Sequence, residues 1–312
     1  MSLAPISVYI QALVTGVSNN SCVGLADALE AVSHDSLQRV IRDGRHELNE
    51  LFRCLVNRTM KRGGYLILDD TILEKYTRGL EAIHKLLDSK TNGYVLGLNV
   101  VLLCWSNGKT TLPIAFFIYQ SKEVSKLELA EKLLYYAQAL GCNPKFVLFD
   151  SWYAAQTLLK AIRALGWHFV TRLKKNRYLS GKKLKSFHRH PYWQEQGNLR
   201  GDIDVKVFRR ASKFYATSKF SLSWASLKAL YRIRAEIEEV FRVLKQECAW
   251  QGCQQRSLRH YHRHLTLGLI AFYFLKSLQK RFKLGVYILR RKLISRKLTI
   301  NLQDIADFLQ PA

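Results

Sequence analysis

The sequence predicts an α/β protein in which a mixed sheet carries helices on its faces, with a basic β-rich insertion and helical regions at both ends. Three observations carry this expectation. Apolar runs and helix-periodic segments follow one another as β-β-β-α-β-α-β between residues 63 and 173,. The first 60 residues and those from 256 onward read as helices,. Apolar residues at 48% and aromatics at 12% suffice for a packed core,.

Residues 24–32 and 35–42 have helical patterns separated by Ser33-His34, with Ser33 placed to cap the second,. This is a helix-turn-helix pattern whose second helix carries Arg39 and Arg42; a small helical packing module is the bland alternative,. Residues 65–68 form a short apolar run ending in Asp69-Asp70, expected to be a buried strand with carboxylates at its end,. Residues 93–105 and 110–120 flank Asn107-Gly108, a hairpin signal,. Helical periodicity over 125–140, a strand at 146–149 ending at Asp150, a helix over 154–165 and a strand over 167–173 complete the order,. The expected division is a helical region at 1–60, a catalytic domain at 61–255 with its insertion at about 176–224, and a basic helical region at 256–312,.

Charge narrows the function. Lys and Arg number 49 against 24 Asp and Glu, a net charge of +25 on a folded body. That surplus points to a polyanion, with nucleic acid favoured over an acidic membrane. Residues 172–190 hold eight Lys or Arg and no acid, and 256–300 hold twelve with no acid. Arg172, Lys174 and Lys175, with Trp193 beside the basic run, are candidate nucleic-acid contacts because they combine charge with a stacking surface,. The apolar run 265–275 falls short of the ~20 residues that cross a bilayer and is expected to be a buried helix. The N-terminus carries no basic segment ahead of a long apolar stretch, which leads to an expectation of cytoplasmic residence, and of thiols for the six scattered cysteines,. Cys248, Cys253, His260, His262 and His264 lack a C-x2-C pair, which argues against zinc,.

Asp70 and Asp150 each follow a hydrophobic run, and strand ends are where sites form in α/β sheets, although a single such Asp is often a cap or turn residue,. Residues 231–245 contain strong helix formers and no Gly or Pro, so they read as one helix,. At about 100° per residue, Tyr231, Arg234, Glu238 and Lys245 fall on one stripe beside the buried face, while Glu236 and Glu239 point elsewhere. A surface Arg234–Glu238 pair is the alternative meaning of that stripe.

The spacing Y-x2-R-x3-E-x6-K, met by Tyr231, Arg234, Glu238 and Lys245, resembles the signature of bacterial insertion-sequence DDE transposases. Asp70-Thr71 within LILDDT and Asp150 within FVLFDSWY resemble that group's first two catalytic positions, and the element order is similar to the ribonuclease H-like fold. The resemblance runs over roughly residues 25–280, with Ala235 standing where the group commonly has Trp. It implies a transposase that binds terminal inverted repeats of double-stranded DNA as a homodimer in the cytoplasm, at the nucleoid, and that cuts and rejoins strands. It further implies Asp70, Asp150 and Glu238 as catalytic ligands of two Mg²⁺ ions, for which Mn²⁺ substitutes, with Tyr231, Arg234 and Lys245 on DNA phosphates. Trp193 and Trp224 are the candidates for holding a flipped base. Asp69 is the rival to Asp70, which is chosen because Thr follows it. A catalytically inactive repressor derived from a transposase and another ribonuclease H-like nuclease are the competing functions.

Overall fold

The computed structural model describes residues 3–16, 22–29, 33–43, 45–60, 62–75, 79–80, 82–88, 93–120, 123–187 and 191–310. In chain order the elements are α1 (Leu3–Thr15), α2 (Cys22–Leu29), α3 (His34–Asp43), α4 (Arg45–Thr59), β1 (Tyr65–Glu74), β2 (His84–Asp88), β3 (Gly93–Ser106), β4 (Thr111–Ile118), α5 (Lys126–Ala139), β5 (Phe146–Phe149), α6 (Gln156–Ala164), β6 (His168–Leu173), β7 (Tyr178–Leu179), β8 (Lys182–Lys183), β9 (Tyr192–Leu199), β10 (Ile203–Arg210), β11 (Lys213–Thr217), α7 (Trp224–Arg234), α8 (Glu236–Glu247), α9 (Leu258–Phe282), α10 (Val286–Ile294) and α11 (Leu302–Leu309). They fall into two units, one of Met60–Thr71 and Val100–Glu239, the other of Met1–Thr59, Ile72–Asn99 and Val240–Ala312.

The first of these units is built on a mixed sheet. β1 and β5 run parallel, with Tyr65, Leu66 and Ile67 opposite Phe146, Val147 and Leu148, and β5 runs parallel to β6. Leu66, Ile67, Leu68 and all of β5 are buried, as expected of central parallel strands covered on both faces,. β3 and β4 form the antiparallel hairpin that Asn107-Gly108 announces. The Asn107 carboxamide accepts from the Lys109 and Thr110 amides, and Gly108 takes a φ of +86°,. α5 starts where Ser125 and Glu128 close a reciprocal capping box,. Beyond β6 the basic insertion is not a separate module: β11 pairs with β6, and β10, β9 and β7 follow in one continuous antiparallel order.

Two sequence expectations need correction here. β1 does not stop at residue 68 but continues to Glu74, because Ile72 and Leu73 resume the apolar pattern; Asp69 and Asp70 therefore lie inside a strand rather than at its end. Residues 231–245 are not one helix. The chain breaks at Ala235, whose N–H turns back to the Arg232 and Ile233 carbonyls.

The other unit is organised by α9, which is buried over most of its length from Tyr261 to Leu278 and packs against α1, α3, α4 and α10. Ser33 caps α3 through its hydroxyl, and the opposite end of α3 is closed by the buried Arg263 guanidinium, which donates to the carbonyls of Ile41 and Arg42. Leu37, Val40 and Ile41 face inward, leaving Arg39 and Arg42 exposed. Residues 30–32 of the expected first helix, and the Arg45 side chain, lie outside the described residues. The Tyr9 hydroxyl donates to His264 Nδ1 at 2.8 Å while Nε2–H donates to the Ala249 carbonyl at 2.9 Å, so the ring is neutral; burial lowers its pKa to about 4. Cys248 and Cys253 are buried thiols in this unit. β2, which pairs antiparallel with the start of β3, has no counterpart in the sequence expectations. Among the described residues no helix is long and apolar enough to cross a membrane.

The loop after α8 is pinned to α9 by Trp250, whose indole N–H donates to the Leu265 carbonyl at 3.0 Å. A methyl at Gly268 would sit 2.6 Å from the Trp250 ring and 2.9 Å from the Cys248 carbonyl. Gly268→Ala is therefore expected to lower stability by about 1–3 kcal/mol, the usual cost of overpacking, measurable as a shift in urea midpoint at unchanged slope.

Candidate active site

The central strands converge on a group of carboxylates. Asp69 lies on β1 two residues beyond the Ile67–Leu148 pair, and Asp150 follows directly on the end of β5, near enough for its charge to act on Asp69. Asp70, one residue further, takes different partners. The Tyr153 hydroxyl donates to its Oδ1 at 2.8 Å and Lys126, the first residue of α5, reaches its Oδ2 at 3.0 Å. Lys126 also lies over the Trp152 ring, 4.2 Å from its centre. The Trp152 amide in turn donates to Asp150 Oδ1 at 2.8 Å, and the Thr171 hydroxyl donates to the Asp150 carbonyl at 3.1 Å.

Arg234 joins the strands to the helix pair. Its Nη2 lies 2.5 Å from Asp69 Oδ2 and its Nη1 lies 3.0 Å from Glu238 Oε1, so one guanidinium spans both acids. Arg234 and Asp69 are about equally buried, at 16% and 15% exposure, whereas Glu238 is 63% exposed. Burial pushes the Asp69 carboxyl up to about 7; Arg234 pulls against that rise, and the charges of Asp70 and Asp150 add to it. Tyr153 is pushed well above its ordinary range by burial and by the neighbouring Asp70.

The sequence candidates are distributed unevenly around this group. Tyr231, raised to about 12 mainly by burial, feels the charges of Arg234, Arg172 and Asp150, and its ring meets the Tyr215 ring edge-on at 5.2 Å. Arg172 pairs in register with Tyr215. Lys174 and Lys175 are exposed in the turn after β6. Trp193 stacks on Phe187 at 4.4 Å, and as the neighbour of Tyr192 on β9 it faces the opposite side of the strand,. Trp224 is covered by the Arg210 guanidinium at 4.5 Å. Lys245 belongs to the other unit, where its Nζ donates to the Ile72 carbonyl at 2.7 Å. Sequence reasoning passes over Lys126, Trp152 and Tyr153. The available signal is a lysine at the first position of a capped helix, where a cation opposes the helix dipole, and two adjacent aromatics, Trp152 and Tyr153, just past Asp150 and Ser151.

The donor set is all carboxylate oxygen, the chemistry that hard divalent cations such as Mg²⁺ and Mn²⁺ take, and the mutual repulsion felt at Asp69 is what such a cation relieves. Among the described residues no three acidic, His or Cys side chains are already gathered around one metal position; Lys126 and Arg234 supply the positive charge instead.

The profile of the transposase DDE domain family matches residues 62–274. The chain belongs to this family. The matched span takes in β1, β5 and the α7–α8 pair, the elements that carry Asp69, Asp70, Asp150, Arg234 and Glu238. No curated protein matches the chain. Among solved structures, this transposase domain is similar to the cryo-EM structure of the piggyBac transposase synaptic complex with hairpin DNA, with a TM-score of 0.56 and 14% identity over all of this chain and 77% of that one. The likeness is one of fold, and the fold is ribonuclease H-like.

The Arg234 bridge makes a testable statement about charge. Removing one partner of a buried pair leaves the other uncompensated and costs about 3–5 kcal/mol. A carboxyl whose folded pKa is raised stabilises the fold while protonated, and that contribution is lost as pH rises from its unfolded value toward the folded one. Arg234→Gln should thus destabilise more at a pH above the Asp69 value of about 7 than below it. Adding Asp69→Asn should recover part of the loss. Urea unfolding of wild type, Arg234→Gln, Asp69→Asn and the double variant in metal-free buffer on either side of that pH measures both effects.

Proposed function

We propose that this chain is the transposase of an insertion sequence, which binds the element's terminal inverted repeats and carries out DNA strand cleavage and strand transfer in a cut-and-paste reaction. The observation that supports this best is the Arg234 guanidinium held between Asp69 and Glu238, with Asp150 near enough for its charge to act on Asp69. Phosphodiester cleavage by in-line attack needs carboxylates brought to one point and a cation beside the reacting phosphate, and a guanidinium shared by two acids supports that reading,.

Asp150, Glu238 and a carboxylate of the Asp69-Asp70 pair would hold two divalent ions. Bound Mg²⁺, or Mn²⁺ in its stead, supplies activation of the attacking oxygen and stabilisation of the leaving one. Thr71 after Asp70 is the sequence argument for Asp70. The nearness of Asp150 and the bridge to Glu238 favour Asp69, leaving Asp70 to the Tyr153 and Lys126 clamp. Tyr231, Arg234 and Lys245 contact phosphates near the cleaved end, and Arg172, Lys174, Lys175 and Trp193 contact DNA further along. The protein acts as a homodimer on paired ends, in the cytoplasm at the nucleoid.

Cleavage of end-labelled DNA carrying the element's termini tests the proposal. Wild type should cut in Mg²⁺ and in Mn²⁺, and Asp150→Ala should lose at least about 10³-fold in rate, as expected when a metal ligand is removed. Binding without cutting in either metal would instead identify a repressor, and cutting that follows DNA shape rather than end sequence another nuclease. Comparison of Asp69→Cys with Asp70→Cys decides the first carboxylate. The variant that is inactive in Mg²⁺ and recovers in Mn²⁺ carries the ligand.

A further inference from the structure

Glu236 lies two residues after Arg234 and two before Glu238, on a helix where an unbroken course would turn it about 200° away from Glu238 and leave it without a task. The structure gives it one. Its Oε2 accepts from the Ser106 hydroxyl at 3.1 Å and from the Thr111 hydroxyl. Ser106 and Thr111 face each other as the last pair of the β3–β4 hairpin and are both buried. Their positions are themselves fixed, since the Ser106 hydroxyl accepts from the Gly108 amide at 3.0 Å and the Asn107 side chain closes the turn. Among the described residues no cation pairs with Glu236, so the two hydroxyls hold the carboxylate.

The helix break has its physical reason in this anchor. At Ala235 the hydrogen bonds shorten to three-residue steps: Ala235 N–H donates to the Arg232 carbonyl and Glu238 N–H donates to the Ala235 carbonyl, each at about 3 Å,. Glu236 meets the hairpin there, while Arg234 keeps its contacts with Asp69 and with Glu238. A carboxylate in the first turn of α8 is also favoured by the helix dipole,.

We propose that Glu236 is a positioning residue: by tying the first turn of α8 to Ser106 and Thr111, it sets the orientation in which Arg234 and Glu238 meet Asp69. This rests on Glu238 being a catalytic carboxylate. Glu236 itself touches no reacting atom.

The test compares Glu236→Ala, Glu236→Gln and the Ser106→Ala/Thr111→Val double variant of the full chain. Gln keeps a carbonyl oxygen that accepts both hydroxyls. Glu236→Ala should slow single-turnover cleavage by about 10–100-fold, the range for a reacting group displaced by a fraction of an ångström. Its affinity for DNA should stay within about twofold, and Mn²⁺ binding to the DNA-free protein, read by electron paramagnetic resonance, should weaken. Glu236→Gln should return to within about threefold of wild type, and Glu236→Ala added to the hydroxyl double variant should cost little more, since the groups act as one unit. Hydrogen exchange of the amides from 235 to 239 should quicken in Glu236→Ala alone among the helix segments. Wild-type cleavage and Mn²⁺ binding in Glu236→Ala, equal losses in Ala and Gln, or unchanged exchange would each overturn the proposal. A wild type that neither cuts nor binds Mn²⁺ removes the functional reading instead, and the exchange result still decides the anchor. Should Glu236→Ala not fold, Thr111→Val and Ser106→Ala singly carry the same comparison.

Discussion

A strongly basic chain sets three aspartates close together, Asp69, Asp70 and Asp150, and their charge has to be neutralised from within. Asp69 is largely buried beside two other aspartates, a position where ionisation is opposed both by lost hydration and by repulsion,. The Arg234 guanidinium answers this, reaching Asp69 and Glu238 with separate nitrogens in the fork geometry that a lysine cannot reproduce,. The rest of the unit can be read as the support of that contact. Parallel strands carry Asp69 and lead into Asp150, α7 carries the arginine in, and Glu238 meets it four residues further along the chain.

Much of the architecture is legible along the chain because its signals are local. The expected β-β-β-α-β-α-β order returns with one strand, β2, added; the Asn107-Gly108 hairpin and the Ser125 cap act where they stand, and residues 265–275 are buried in α9 as their composition demands. What escapes is non-local. β9 reads YWQEQGNL, exposed along most of one face and with Glu195 exposed on the other, so it has no apolar alternation to betray it; only pairing with β10 makes it a strand,. β2 is short and equally dependent on β3.

The site divides in the same way. Arg234 and Glu238 stand in a recognisable spacing, and their contact follows from their four-residue separation,. The partition of Asp69 and Asp70 does not. Alternation along a strand separates two adjacent aspartates, but which face each one meets depends on the neighbouring strand and on Lys126 and Tyr153, which come from distant segments. The kink at Ala235 is also invisible to propensity, since a run of strong helix formers gives no reason to interrupt it until two hydroxyls on a hairpin compete for Glu236,.

The pairing of β11 with β6 has a mechanical meaning. β6 is also the parallel neighbour of β5, the strand that ends at Asp150, so the basic strands and the carboxylate-bearing strands are rungs of a single hydrogen-bonded ladder. A ladder of this kind resists shear and hinge motion far better than a module on a linker. The outer strands are thus tied through β6 to the strand that leads into Asp150, with no linker between them.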